Sequence, residues 1–267
     1  MRTTVASNHT DNSENLASLF LLFSITWNTI PPVLLTDAEA CAMRAKMQLT
    51  RGLFITLEGV EGSGKSTQIR HLAKMLTQKG HIVLQTREPG GTATAEAIRH
   101  ILLTALSHEP VTSQAEALLI LAARCQHVAH LIRPALRCGT VVLCDRFSDS
   151  TFAYQGFGRG LDLQWLRAAN EVATGGLTPD LTLVLDLPAS VGLARRRVDR
   201  GQQNRLDRET ERFHRKVRRG FLALAAEEPT RMTIVNANRP AQEVRNELTE
   251  IVVDWLRRPR RPPRNRS

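Results

Sequence analysis

The chain is poor in the residues that build metal clusters and disulfide frameworks. Its 4 cysteines, Cys41, Cys125, Cys138 and Cys144, form no C-x-x-C pair, which argues against a structural zinc site or a redox dithiol. Cys144 lies in an apolar run and Cys125 in a helical pattern, as reduced packing residues of a cytoplasmic protein do. Long hydrophobic runs are missing too. Leu16–Ile25 is too short to span a bilayer. It is also a poor secretory signal, because Asp11 and Glu14 stand where basic residues belong and no clean A-x-A site follows. Aromatic residues make up only 4 % of the chain. The formal net charge is +10, but Arg257, Arg258, Arg260, Arg261, Arg264 and Arg266, with no acid among them, account for more than half of it. A nucleic-acid-binding face would carry its charge among aromatics, whereas this charge gathers in an aromatic-free tail. Neither a nucleic acid nor a membrane is therefore an expected partner. No Asn-Lys-x-Asp motif is present, which argues against a guanine-reading switch protein.

What the chain does have is concentrated in one stretch. Leu53-Phe54-Ile55-Thr56-Leu57-Glu58 is a short apolar run. It passes into Gly59-Val60-Glu61-Gly62-Ser63-Gly64-Lys65-Ser66-Thr67 and leaves through a helical pattern. This is a G-x-x-x-x-G-K-S loop in the strand–loop–helix context that a P-loop requires. Glycines let the backbone curl so that its N–H groups face phosphate oxygens, and the following helix adds its positive end. Lys65 can reach the β- and γ-phosphates, and the Ser66 hydroxyl is placed to bind Mg²⁺. At average residue frequencies the bare pattern arises by chance in a chain this long about 1 % of the time. The loop is thus expected to bind a nucleoside triphosphate.

From Leu53 onward, strand-like and helix-like patterns alternate. Strands are expected at 53–58, 81–86, 140–145, 181–186 and 233–236. Helices are expected after the P-loop to about 79, around 97–102, and at 113–136, 162–173, 189–199, 209–227 and 241–256. Arg146 to Gly160 reads as loop and helix start. Such alternation implies a parallel sheet covered on both faces, with ligands at the carboxyl ends of its strands. Asp145 ends an apolar Val-Val-Leu-Cys run, where a P-loop enzyme keeps an acid near its metal; the plainer reading is an Asp that caps the next turn. Arg146 follows at once and suits bidentate phosphate binding. Residues 1–46 differ in composition and read as an extension, disordered or upstream of a true start at Met43 or Met47. Residues 47–256 form the domain, and 257–267 read as a basic disordered tail.

Several motifs together resemble bacterial thymidylate kinases: Asp145-Arg146-Phe147, Arg87-Glu88-Pro89-Gly90-Gly91-Thr92, Ala122-Ala123-Arg124, Tyr154-Gln155-Gly156 and Asn204-Arg205-Leu206-Asp207. The resemblance runs from about Leu53 to Leu256. It implies a three-layer α/β P-loop NTPase fold with a central five-stranded parallel sheet, helices on both faces and a lid segment. It implies transfer of the γ-phosphoryl group of ATP to dTMP, with Mg²⁺, in a homodimer. An ATP-dependent kinase of another nucleoside or nucleoside monophosphate is the rival.

By the same resemblance, Gly59 to Thr67 hold the ATP phosphates, and Ser66 and Asp145 serve the metal. Asp145 and Arg146 face the acceptor phosphate, and Arg124 bridges toward base and phosphate. Glu88 and Arg99 approach the nucleotide, and Thr151 and Gln155 lie near the base. Tyr154 packs on the deoxyribose. It is the only tyrosine and is expected in a Gly-rich loop where packing has little to act on. Glu61 in the P-loop, with arginines in the lid at 200–207, implies the sub-type in which the lid supplies the catalytic arginine, here Arg205. The Glu88–Pro89 bond is expected to be cis. Ile120 stands where family members carry a phenylalanine that stacks on thymine.

Overall fold

The structure, a computed structural model, describes residues 52–104, 110–198 and 209–257. The expectations for the N-terminal extension, for the tail beyond Arg257 and for the lid with Arg205 lie outside the described residues.

Five strands form one parallel sheet in the order β2-β3-β1-β4-β5. They are β1 (Leu53–Glu58), β2 (Val83–Arg87), β3 (Val141–Asp145), β4 (Leu181–Asp186) and β5 (Met232–Asn236). The helices are α1 (Lys65–Gln78), α2 (Ala93–Leu103), α3 (Ser113–His127), α4 (Arg133–Arg137), α5 (Ser148–Thr151), α6 (Leu163–Thr174), α7 (Ala189–Val198), α8 (Glu211–Glu227) and α9 (Ala241–Arg257). Two π-helical segments interrupt the α pattern. The first, π1 (Val128–Ile132), joins α3 to α4, and the second, π2 (Phe152–Gly158), continues α5.

The central strand is buried along its whole length, so both of its faces are apolar, as parallel sheets covered on two sides require. Alternate side chains serve different cores. Leu53, Ile55 and Leu57 join Val141 and Leu143 with Leu72 of α1 and Leu248 of α9. Phe54 joins Val142, Cys144 and Phe147 with Val128 and Ile132 of π1. The Phe54 and Phe147 rings meet edge to face with centroids 4.9 Å apart. This packing places Phe147, and with it the Asp145-Arg146-Phe147 turn, over the end of β1.

Register then sets the site. Asp145 pairs with Leu57 on one side and with Arg87 on the other, and Glu58 pairs with Val184. The acids that end β1 and β3 therefore share one edge of the sheet with the loop after β1. Helix starts differ in a way that matters there. Thr92, Thr112, Asp162 and Thr210 each cap the helix that follows with a side-chain oxygen. At α1 the N-cap is Gly64, left-handed at φ 90°, with no side-chain cap and no acid in the first turn. Its leading amides thus lack the side-chain acceptor that those four helices carry.

Candidate active site

The P-loop curls around Lys65. The Lys65 Nζ donates to the carbonyls of Gly59 at 3.1 Å and Val60 at 3.0 Å and is buried. Burial pushes its pKa down to about 8, with Arg146 acting the same way against Asp145, Glu61 and Glu58. The loop lies directly on α7. A Cβ on Gly62 would collide with the Gly192 carbonyl, and one on Gly192 with the Glu61 carbonyl. Beside the loop, the Ser66 hydroxyl donates to Asp145 Oδ2 at 2.7 Å. A hydroxyl and a carboxylate next to a phosphate cradle are hard oxygen donors that fit Mg²⁺, whose sphere is completed by water and substrate phosphates. Among the described residues there is no cluster of three or more His, Cys, Asp or Glu that could hold a metal.

Arg146 joins the loop to what lies beyond it. Its backbone is left-handed at φ 71°, a conformation that costs a non-glycine residue about 1–3 kcal/mol and tends to occur at functional turns. Its N–H donates to the Leu57 carbonyl at 3.0 Å. Its guanidinium donates to the Gly59 carbonyl at 2.9 Å, Ser150 Oγ at 3.1 Å and Glu61 Oε1 at 3.1 Å. It also lies 4.9 Å from the centroid of the Tyr154 ring. Burial opposes the Arg146 charge, but Tyr154, Glu61, Asp145 and Glu58 raise its pKa above the usual arginine range.

Two acids three positions apart, Glu58 buried and Glu61 partly buried, meet opposite fates. Glu61 accepts from the Tyr154 hydroxyl at 2.7 Å, and His214 Nδ1 stands 3.1 Å away. Burial would raise its pKa, but Arg146, then His214 and Lys65, bring it down to about 2. Glu58 accepts from the Phe147 N–H at 2.7 Å and the Ser150 hydroxyl at 2.6 Å. Burial, and then Asp149, raise it to about 8 against Arg146 and these two hydrogen bonds.

A cavity opens on the far side of Arg146. Glu88, Ile120, Arg124, Arg146, Thr151, Tyr154 and Gln155 all line it, as does Glu61. The residues expected at an acceptor site are thus brought together, with Arg99 the exception. Arg99 instead donates to the Pro89 carbonyl at 2.9 Å and braces the loop, whose Glu88–Pro89 bond is cis. Arg124 is 1 % exposed. It donates to Glu88 Oε2 at 2.7 Å, Asn170 Oδ1 at 2.8 Å and the Phe147 carbonyl at 3.1 Å. A guanidinium has five N–H donors, so some remain for a ligand. His127 closes the group, with Nδ1 3.0 Å from Glu88 Oε1 and Nε2 2.7 Å from Thr86 Oγ1. Gln155 Nε2 donates to Glu116 Oε1 at 2.8 Å, and Arg159 donates to both oxygens of that acid. Thr151 Oγ1 is buried without a hydrogen-bond partner, a polar atom suited to a ligand.

One expectation is corrected here. Tyr154 does not sit in a loop. It lies in π2, 4 % exposed, against Phe213 and Phe221 of α8 at centroid distances of 6.0 and 6.2 Å. Gly158 admits close packing on Phe213 and Val217 of α8, and Gly156 on Leu163 and Leu166 of α6. The residues 146–160 are accordingly helical over most of their length.

Five parallel strands, helices on both faces and a glycine-turned, uncapped helix start at the central strand define a P-loop nucleotide-binding protein of the α/β class. Comparison with known proteins narrows this. The sequence model of the family described as Thymidylate kinase matches residues 57–248. The thymidylate kinase of Desulfovibrio desulfuricans is 50 % identical over 212 residues, covering 77 % of this chain and 97 % of the relative. That of Pseudomonas fluorescens is 52 % identical over 209 residues, covering 78 % and 99 %. The crystal structure of thymidylate kinase from Ehrlichia chaffeensis aligns with a TM-score of 0.62 at 30 % identity, covering 76 % of this chain and 100 % of that one. The chain belongs to the thymidylate kinase family.

The sequence reasoning missed Glu58, Glu116, His127 and Asn170. For Glu58 a signal was available, since it ends an apolar strand just as Asp145 does. The other three are single polar residues on helices and carry no local signature.

Proposed function

We propose a division of labour for the reaction that family membership gives this chain, ATP-dependent phosphorylation of dTMP to dTDP. The P-loop from Gly59 to Thr67 holds the ATP phosphates through its amides and Lys65. Ser66 and Asp145 would hold Mg²⁺, which when bound neutralises charge on the β- and γ-phosphate oxygens. Arg146 orients the acceptor phosphate. Arg124, Thr151 and Gln155 face the base, with Ile120 against its plane and Tyr154 beside the sugar. Glu88 holds Arg124, and Arg99 supports the Glu88–Pro89 loop. Arg205, outside the described residues, supplies the late positive charge from the lid, since the P-loop position carries Glu61 instead.

The observation that carries this reading is Arg146. It bonds the P-loop at the Gly59 carbonyl and at Glu61, and also lines the acceptor cavity, so donor and acceptor sites share one cation. Phosphoryl transfer depends on such fixed charge over the migrating group. The test is turnover from ATP across a panel of nucleosides and nucleoside monophosphates. dTMP is expected to be the preferred acceptor, with no transfer to thymidine. A preferred nucleoside, or a preferred purine monophosphate, would overturn the assignment.

The same reading takes the enzyme to be a cytoplasmic homodimer. Ile101 on α2, Leu118 on α3, and Trp165 and Val172 on α6 expose apolar side chains on helices that pack side by side, which supports pairing through helices. Among the described residues Cys125 and Cys144 form no disulfide, in keeping with a reducing compartment. The helical stretch Ser113–Arg137 has the length and apolarity of a membrane span, but it packs on α2 and α6 and carries Arg124 into the cavity.

A further inference from the structure

We propose that Glu116 is a positioning residue that sets base specificity by holding the Gln155 amide in one of its two orientations. This rests on the reading of the cavity as the dTMP site. Glu116 lies on α3, 1 % exposed. Its Oε1 accepts from Gln155 Nε2 at 2.8 Å and from Arg159 Nε at 3.2 Å, and its Oε2 accepts from Arg159 Nη2 at 3.1 Å. Arg159 is itself held from the other side by Glu209 at 2.7 Å. A carboxylate paired with a guanidinium can only accept hydrogen bonds, whereas a primary amide donates from one fork and accepts at the other.

The consequence is chemical. With Glu116 as its neighbour, Gln155 must turn its nitrogen toward α3, because the flipped amide would set oxygen against oxygen. What remains for the cavity is the Oε1 acceptor and the second Nε2 proton. That pattern complements an imide edge, a ring N–H beside a carbonyl, as in thymine. It opposes cytosine, whose ring nitrogen accepts and whose neighbouring amino group donates. Thr151, at the end of α5, cannot make this distinction, since a hydroxyl rotates to donate or accept. Discrimination by mismatched polarity is the strong kind, because the wrong base leaves buried groups facing unlike partners. The competing account is that Glu116 merely anchors Arg159 and the start of α8.

The test is kcat/KM for dTMP and for dCMP with ATP, on the full chain and two variants. Glu116→Gln keeps the shape but can donate, so either amide orientation becomes available. The dTMP-to-dCMP preference is expected to fall by about tenfold or more. Arg159→Lys loosens the bridge to Arg159 while keeping a cation beside the carboxylate, and the preference is expected to hold. An unchanged preference in folded Glu116→Gln overturns the proposal, as does an equal fall in Arg159→Lys. If Glu116→Gln does not fold, Glu116→Ser must show the same fall, and an unchanged preference there overturns it equally. A wild-type chain that accepts dTMP selectively while Glu116→Gln stays selective refutes only this inference. A wild-type chain with no preference for dTMP refutes the cavity reading as well.

Discussion

The two ends of the cleft are made of different material. At the end proposed for phosphate the groups available are mostly backbone, shaped by glycines within one continuous stretch from Gly59 to Thr67. At the end proposed for the base they are side chains drawn from the loop after β2, α3, α5, π2 and α6, held by hydrogen bonds among partners that are almost fully buried. A backbone cradle keeps its shape when a side chain is cut. A buried ionic network does not, because each member is the counter-charge of another. Damage at the two ends should therefore register in different measurements.

The sharpest test is Arg124→Met. It leaves Glu88, 4 % exposed, without its guanidinium. Breaking a buried pair from one side costs about 3–5 kcal/mol, so chemical denaturation should show a loss of that order, and KM for dTMP should rise. If stability holds, the base end is not the coupled network described. Next comes Lys65→Ala. Turnover should fall by about 10²–10³, the usual cost of removing one fixed donor to developing charge, while circular dichroism and Tm stay near wild type. A variant with wild-type turnover would erase the contrast.

The third test uses pH. In the folded chain the Glu58 pKa is raised from 4.5 to about 8, so between these values the folded chain keeps a proton that the unfolded chain has released. Its contribution is full below pH 4.5 and is lost as pH rises toward 8, at up to about 1.4 kcal/mol per pH unit. Glu61 is lowered from 4.5 to about 2. Its contribution is present above pH 4.5 and is lost as pH falls toward 2. Tm measured against pH should lose its downward slope from pH 4.5 to 8 in Glu58→Gln, and its acid limb should flatten in Glu61→Gln. The smallest expected effect is at Ile120. A ring there adds stacking worth about 0.5–1.5 kcal/mol, so Ile120→Phe should lower KM for dTMP by up to about tenfold with kcat unchanged. A higher KM would mean that the space is already filled.

The same division explains what could be read from sequence. A phosphate cradle is local, so Gly59 to Ser66 declare themselves by spacing. The parallel sheet follows from alternating patterns, and Asp145 from its place at a strand end. The base end is not local. That Arg124, Glu88, His127 and Asn170 form one group depends on how α3, β2 and α6 pack, and no residue among them announces its partners. Glu116 and Gln155 are 39 residues apart. The π-helical segments were illegible for a related reason. A π turn widens the helix by a single residue, which leaves almost no trace in composition, and so Tyr154 read as a loop residue when it is packed under α8.

The contact between Gly62 and Gly192 carries a lesson for how this chain can vary. Most tight contacts in a protein permit trade, since one side chain can shrink when its neighbour grows. Here a Cβ on Gly62 meets the Gly192 carbonyl, and one on Gly192 meets the Glu61 carbonyl. Neither collision involves a side chain that could be pruned in return. The two positions are therefore neighbours without being able to rescue one another. Statistical methods that find contacts from correlated substitutions will see nothing between them.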